Sequence, residues 1–234
     1  MGALPAAETL FSRPRYTSTH PRSSAQTSNM KLLTPALLAL ASMSSLVQSQ
    51  AQNQARPLSS FTDSSANITF KLAIPDTTSA PFPLLMSIIA PIGISWAGFA
   101  TGGCMLRSPL IVAWPKANGT GFVVTTRWAA HFHAPIPYLN TTLSLLPSSS
   151  VNATHWKADF ICSQGCSDWW GGSIDPNYNN ATFGYGASSR PISSPANVTG
   201  GIPFHNVVIG HFDFDLTKAK RGVGEWEGLV KGGL

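Results

Sequence analysis

Residues 93–115 read GISWAGFATGGCMLRSPLIVAWP, and this stretch decides the fold. Its two ends, ISWAGFA and LIVAWP, are short apolar runs rich in β-branched and aromatic residues, the composition of buried strands. Between them Gly102 and Gly103 supply the backbone freedom a tight reversal needs. Met105 stands at the exit of that reversal. A methionine in such a place ordinarily fills core space.

Working outward, residues 81–100 (PFPLLMSIIAPIGISWAGFA) carry no charge over 20 positions. Pro81, Pro83, Pro91, Gly93 and Gly98 would break a helix repeatedly, so two buried strands around 84–90 and 94–100 fit better than a membrane span. Residues 68–73 alternate, and 110–114 form a continuous apolar run ending at Pro115. Asn118-Gly119 is a hairpin turn signal, with 122–128 as the return strand. Residues 142–146 alternate and 147–150 turn. Residues 155–162 alternate strictly, with Trp156, Ala158 and Phe160 on one face and His155, Lys157 and Asp159 on the other. Residues 181–185 and 207–216 complete the set, the last with Phe212 and Phe214 opposite His211, Asp213 and Asp215. About ten short strands at this spacing predict an all-β, antiparallel β-sandwich. Residues 217–234 are rich in Gly and Lys and read as a flexible tail.

Composition agrees. The chain has 234 residues, 43% hydrophobic and only 11% charged, with 20 Gly and 18 Pro. That is enough for one domain with a core, and turn-rich rather than helical. From Met30 the sequence MKLLTPALLALASMSSLVQSQAQ shows one positive charge, an apolar run over 32–47, and small residues at Ser49 and Ala51. This is the layout of a secretory signal peptide, cleaved after about Ser49 or Ala51. The organisation read from the chain is therefore an atypical upstream extension (1–29), a signal peptide (30–49), a linker (50–60), one domain (61–216) and the tail (217–234). Removing 1–49 leaves 11 basic and 9 acidic residues, a formal charge of +2. With no basic run interleaved with aromatics, nucleic acid is excluded as a partner. Six Asn-x-Thr sequons, at Asn67, Asn118, Asn140, Asn152, Asn180 and Asn197, agree with a secreted, extracellular glycoprotein and mark exposed loops or strand ends. In that setting Cys162 and Cys166, in CSQGC, predict a local disulfide. Cys104 is left over and is expected to be a buried free thiol.

The run from Phe61 to about Leu216 resembles the cytochrome domain of cellobiose dehydrogenases, a haem-b member of the DOMON group, and the fungal proteins that carry this domain alone. The matching pieces are Phe61-Thr62-Asp63 with Ile68-Thr69-Phe70, then GGCM (102–105) and LIVAWP (110–115). They continue with the cysteine pair near Trp169, Gly184-Tyr185, Ser194-Pro195-Ala196-Asn197, and His205 followed by FDFDL (212–216). The resemblance implies an immunoglobulin-like sandwich holding haem b between one Met and one His. Six-coordinate iron of that kind passes electrons rather than activating substrate. By position Met105 matches the family's methionine ligand.

The family's histidine follows its Gly-Tyr strand end, and here that stretch is GASSR (186–190), without histidine. His131 and His133, two apart in HFH, share a face if they lie on a strand, and are the substitute candidates for haem iron or for copper or zinc. His205 and His211 fall in the family's C-terminal strand region and read as structural. Trp169-Trp170 before Gly171-Gly172 is a candidate sugar-stacking platform.

Two functions follow. The first is a secreted electron-transfer domain with haem b, whose partner is an extracellular oxidoreductase or a copper polysaccharide oxygenase; the large flavin domain of full cellobiose dehydrogenases is not in this sequence. The second is a haem-free sandwich that binds cell-wall carbohydrate or another surface partner. Neither reading makes the domain a catalyst in itself. No nucleophile elbow, phosphate loop or carboxylate pair supports a hydrolase.

Overall fold

A computed structural model of the protein describes residues 56–117 and 119–234. The upstream extension, the signal peptide, most of the linker and Asn118 lie outside the described residues. In chain order the strands are β1 (Ser59–Asp63), β2 (Ile68–Pro75), β3 (Leu84–Pro91), β4 (Trp96–Ala100), β5 (Leu110–Pro115), β6 (Phe122–Trp128), β7 (Ile136–Pro137) and β8 (Thr142–Leu145). They continue with β9 (Ser150–Val151), β10 (His155–Gln164), β11 (Asp168–Trp169), β12 (Gly172–Ser173), β13 (Ala181–Ser188) and β14 (Val208–Phe214). The chain closes with helix α1 (Leu216–Ala219), β15 (Lys220–Arg221) and helix α2 (Val223–Gly232). Five of these 15 strands are two residues long, which leaves ten of four or more, the number read from the pattern. β1 starts at Ser59, so the end of the expected linker already belongs to a sheet.

Two sheets form the sandwich. The first has the order β1-β2-β3-β10-β8, with β9 beside β10 and β15 added to β2 in parallel. The second has the order β14-β13-β4-β5-β6-β7 and is antiparallel throughout. The β4–β5 and β5–β6 hairpins occur where the apolar runs and the Asn-Gly signal place them. β3 and β4 lie in different sheets, so residues 92–95 cross between layers. The Trp156 indole holds the crossing by donating to the Ile94 carbonyl at 2.9 Å.

Period-2 alternation sends one face of each sheet inward. Phe70, Met86, Ile88 and Phe160 from the first sheet meet Phe99, Ile111, Phe183 and Phe212 from the second. Phe212 stacks on Phe61 and Phe70 at 4.7 and 5.3 Å between centroids, and Phe99 meets Phe183 edge-on at 6.0 Å. Such pairs add to the free energy of burial and fix how the layers sit. Tyr185 joins this cluster, and its hydroxyl donates to the Asp63 carboxylate at the end of β1. Burial and that bond push Tyr185 up to about 12. Burial works against ionising Asp63, yet bonds from Ser65, Tyr185 and the Ala66 amide hold its pKa below the ordinary 3.8.

Both outer faces are covered. Over the first sheet, Ala73, Leu85, Leu146 and Ile161 are met by Trp226 and Leu229 of α2 and by Leu234. The expected flexible tail is thus a docked helical segment. Glycine-rich composition hides it, because five glycines dilute the apolar residues and lower intrinsic helix propensity. The helix is stabilised by the apolar face it covers and by Arg221, fully buried, which pairs with Glu225 at 3.0 Å and donates to the carbonyls of Pro57, Lys218 and Lys220. Under the same cover Asp159 is fully buried. It accepts from Ser87 and Ser148, both at 2.6 Å, and pairs with Lys157 at 2.7 Å.

Over the second sheet runs an irregular strap, residues 189–207. Ile192 and Ile202 pack on Trp96, Val112, Trp114 and Val123. The indoles of Trp114 and Trp96 donate to the carbonyls of Pro195 and Pro203 at 2.9 and 3.0 Å. Arg127, 1% exposed, donates to the carbonyls of Val198 and Thr199 at 2.9 and 3.3 Å, and no acidic side chain pairs with it among the described residues. Buried carbonyls of an irregular segment need such donors, which strands find in their neighbours.

Two predictions follow from these ties. Tyr185→Phe removes a bond to a charged, half-buried acceptor and is expected to cost about 1.5 kcal/mol near neutral pH. Because Asp63 titrates lower in the fold than in the unfolded chain, its contribution is present above about pH 3.8 and is lost as the pH falls through the lowered value. The gap between wild type and variant in urea unfolding should therefore narrow as the pH falls below the ordinary carboxylate value of 3.8. Arg127→Met should leave the amides of β4–β6 protected while hydrogen exchange over 196–207 speeds up. Unchanged exchange there would mean that the guanidinium does not hold the strap.

Candidate functional site

The outer face of the second sheet is where the glycine turn and the strap meet. By alternation β4 presents Trp96, Gly98 and Ala100 to this face, and β13 presents Thr182, Gly184 and Gly186. In the turn after β4, Gly103 has φ +81° and its amide donates to the Ala100 carbonyl at 3.3 Å. The Thr101 amide reaches the Pro109 carbonyl at 3.1 Å, and the Ser108 hydroxyl reaches the Cys104 carbonyl at 2.8 Å. These bonds lay the turn back on β13. A Cβ on Gly184 would lie 2.7 Å from the Gly103 oxygen and 3.3 Å from the Cys104 Cα, so only glycine permits the approach.

Met105 is half-buried and packs with Leu106 on Ala100, Leu110 and Ala129. Leu106 pairs with Ala129 in an isolated parallel bridge, and the Arg107 amide donates to the Ala129 carbonyl at 2.9 Å. The exit of the turn is thus tied to the chain leaving β6.

The strap brings His205 to the same face. Its Cβ stands 3.7 Å from where a Cβ on Gly186 would be, beside Ile209 at the same distance. Gly184 and Gly186 are same-face neighbours, about 7 Å apart along the strand. The turn that carries Met105 and the strap that carries His205 therefore sit over adjacent positions of β13. The His205 ring lies 3.9 Å from that of Phe204, and burial lowers its pKa, which favours the neutral imidazole. Exposed Phe204, Val207 and Ile209 give this face an apolar character.

Position along the chain and position in space differ here. GASSR has no histidine, and residues 186–188 continue β13. The space above Gly186 is filled instead by a histidine from a segment about 20 residues later, at the foot of the strap. The signal that could have found it is the half-apolar IPFHNVVIG context just ahead of the last long strand.

The other candidates fall as follows. His131 and His133 lie in a tight turn, not on a strand, with the His133 amide donating to the His131 carbonyl at 2.8 Å. Both are exposed, and their rings are 6.5 Å apart. Trp169 packs inward, its indole against Gly102 and Gly172, while Trp170 is 83% exposed, so the two indoles do not form one platform. Cys162 and Cys166 form the expected disulfide and are buried. Cys104 is exposed rather than buried, because the turn lays its backbone, not its side chain, against β13. Asn67, Asn140, Asn152, Asn180 and Asn197 are all exposed. Among the described residues no helix is long and apolar enough to cross a membrane.

A pyrroloquinoline quinone-dependent pyranose dehydrogenase of Coprinopsis cinerea is 28% identical over 144 residues, 60% of this chain but 19% of that enzyme. The chain thus spans only a small part of the length of this relative. Two solved structures share the fold. The cytochrome b domain of pyranose dehydrogenase from Coprinopsis cinerea has a TM-score of 0.68 at 24% identity, covering 75% of this chain and 90% of that one. The cytochrome domain of Myriococcum thermophilum cellobiose dehydrogenase has a TM-score of 0.62 at 21% identity, covering 75% and 97%. The family described as the cytochrome domain of cellobiose dehydrogenase matches residues 49–222, well over half of the sequence. This chain belongs to that family.

Proposed function

We propose that this chain is a secreted, glycosylated electron-transfer domain that holds haem b between Met105 and His205. The observation that carries the reading is the convergence of the glycine turn and the strap over Gly184 and Gly186. It brings a thioether and an imidazole, from segments about 100 residues apart, to one apolar face. The donor set suits the cofactor. Burial favours the neutral imidazole, the form that ligates iron, and the thioether is a soft ligand. The exposed Phe204 and Ile209 side chains give a flat apolar ligand something to cover.

Met105 and His205 would hold haem b, which would supply one-electron transfer at a raised potential. The chain's own residues hold and orient. The Ser108–Cys104 bond and the Leu106–Ala129 bridge fix the turn behind Met105. The Ser188 hydroxyl donates to the Phe204 carbonyl at 3.1 Å, and the Trp96 indole to that of Pro203, so the residues before His205 are tied on both sides. Leu110 and Ala129 exclude water beneath Met105. No residue of this set is placed to act on a substrate. The electron donor or acceptor is an extracellular oxidoreductase or a copper polysaccharide oxygenase, in keeping with the dehydrogenases to which the relatives' cytochrome domains belong. The signal peptide at 30–49 and the five exposed sequons support secretion and glycosylation.

The exposed Trp170 favours the second reading, a haem-free carbohydrate-binding sandwich. A visible spectrum separates the two. Expressed in a haem-replete secretory host, the protein should show a Soret band and sharp α and β bands on reduction. Met105→Ala and His205→Ala should each abolish the low-spin spectrum, while His131→Ala with His133→Ala leaves it unchanged. A folded, colourless protein would overturn the cytochrome reading. Gly186→Leu adds a side chain where a Cβ meets only ordinary contacts at 3.7 Å, so the sandwich should fold while haem content falls at least about tenfold.

A further inference from the structure

We propose that His131 and His133 form a binding site for one divalent copper ion at the edge of the Met105 turn. The pair lies in the segment that follows β6, where the chain turns on itself through the His133 amide to the His131 carbonyl, 2.8 Å. Both imidazoles are exposed, so either ring is free to turn toward a shared ion. Their ring centroids are 6.5 Å apart. Two imidazoles that share one metal ion at bond lengths of about 2.0–2.1 Å have centroids about 4.5–6.3 Å apart, from right-angled to linear coordination. The observed 6.5 Å lies just beyond the upper end of this range, so binding requires the two exposed side chains to rotate toward each other.

The chemistry selects the metal. Two neutral nitrogens, with water completing the shell, make an exchangeable site, whereas structural zinc uses four protein ligands. For a given nitrogen site copper(II) binds most tightly of the first-row divalent ions. The location gives the site its interest. Ala129 is bridged to Leu106, the residue after Met105, and two residues of chain reach at most about 7 Å, so the ion sits next to the turn that carries the candidate haem ligand. The site itself does not require haem.

The test is a copper(II) titration of the untagged full-length protein, followed by electron paramagnetic resonance and calorimetry. Wild type should bind one equivalent more tightly than any other, with two nitrogens coupled to copper. His131→Ala and His133→Gln should each weaken that equivalent about 100-fold, because the second imidazole acts at the high effective concentration set by the turn. The double variant should lose it, with an unchanged far-ultraviolet circular dichroism spectrum confirming the fold. Binding of wild-type strength in either single variant or in the double variant overturns the proposal, as does a wild-type signal with one coupled nitrogen.

Discussion

The Gly103 carbonyl lies 2.7 Å from where a Cβ on Gly184 would be, and the placement of the turn that carries Met105 depends on that approach. A Cβ there would force the turn off β13, because 2.7 Å is shorter than any van der Waals contact. With the turn lifted, Met105 would lose its packing on Ala100 and Leu110, and Leu106 its bridge to Ala129. The second half of the arrangement is Gly186, over which His205 stands at ordinary van der Waals distance. Gly184 and Gly186, two apart on one strand, thus lie beneath two loops from different parts of the chain.

The sandwich makes this arrangement rigid from behind. Tyr185 lies between those glycines in sequence and points to the other side of β13, into the aromatic cluster with Phe61, Phe70 and Phe212. The same strand therefore presents side-chain-free backbone outward and its bulkiest ring inward. The tie from Tyr185 to Asp63 anchors that strand to β1, across the two layers. A face held in this way keeps its geometry better than one built on loops alone.

Each sheet has a second apolar face, and the chain uses its two irregular regions to cover them. The strap does so with prolines and isoleucines, its carbonyls satisfied by indoles and by Arg127. The C-terminal segment does so with a glycine-diluted helix whose Trp226 and Leu229 cover Leu85 and Ile161. Neither region announces itself by periodicity. Both are held by the faces they cover, which is why local propensity alone misjudges them.

The sequence by itself determined the strands, because strict alternation in 155–162 and continuous apolar runs in 84–90 and 110–114 permit few alternatives. It also determined the glycine reversal, the local disulfide and the family, through GGCM, LIVAWP and FDFDL. Only the tertiary structure decided which histidine stands over the outer face of β13. Chain position pointed at GASSR, yet the place above Gly186 is taken by His205, which arrives along a strap whose course is set by Trp96, Trp114 and Arg127. It likewise decided that Cys104 faces outward, that Trp169 and Trp170 part ways, and that the tail is a helix. The physical reason is common to these cases. Strand identity is a local property with a period of two, whereas the position of a loop side chain depends on hydrogen bonds and missing side chains contributed by residues far away in the chain.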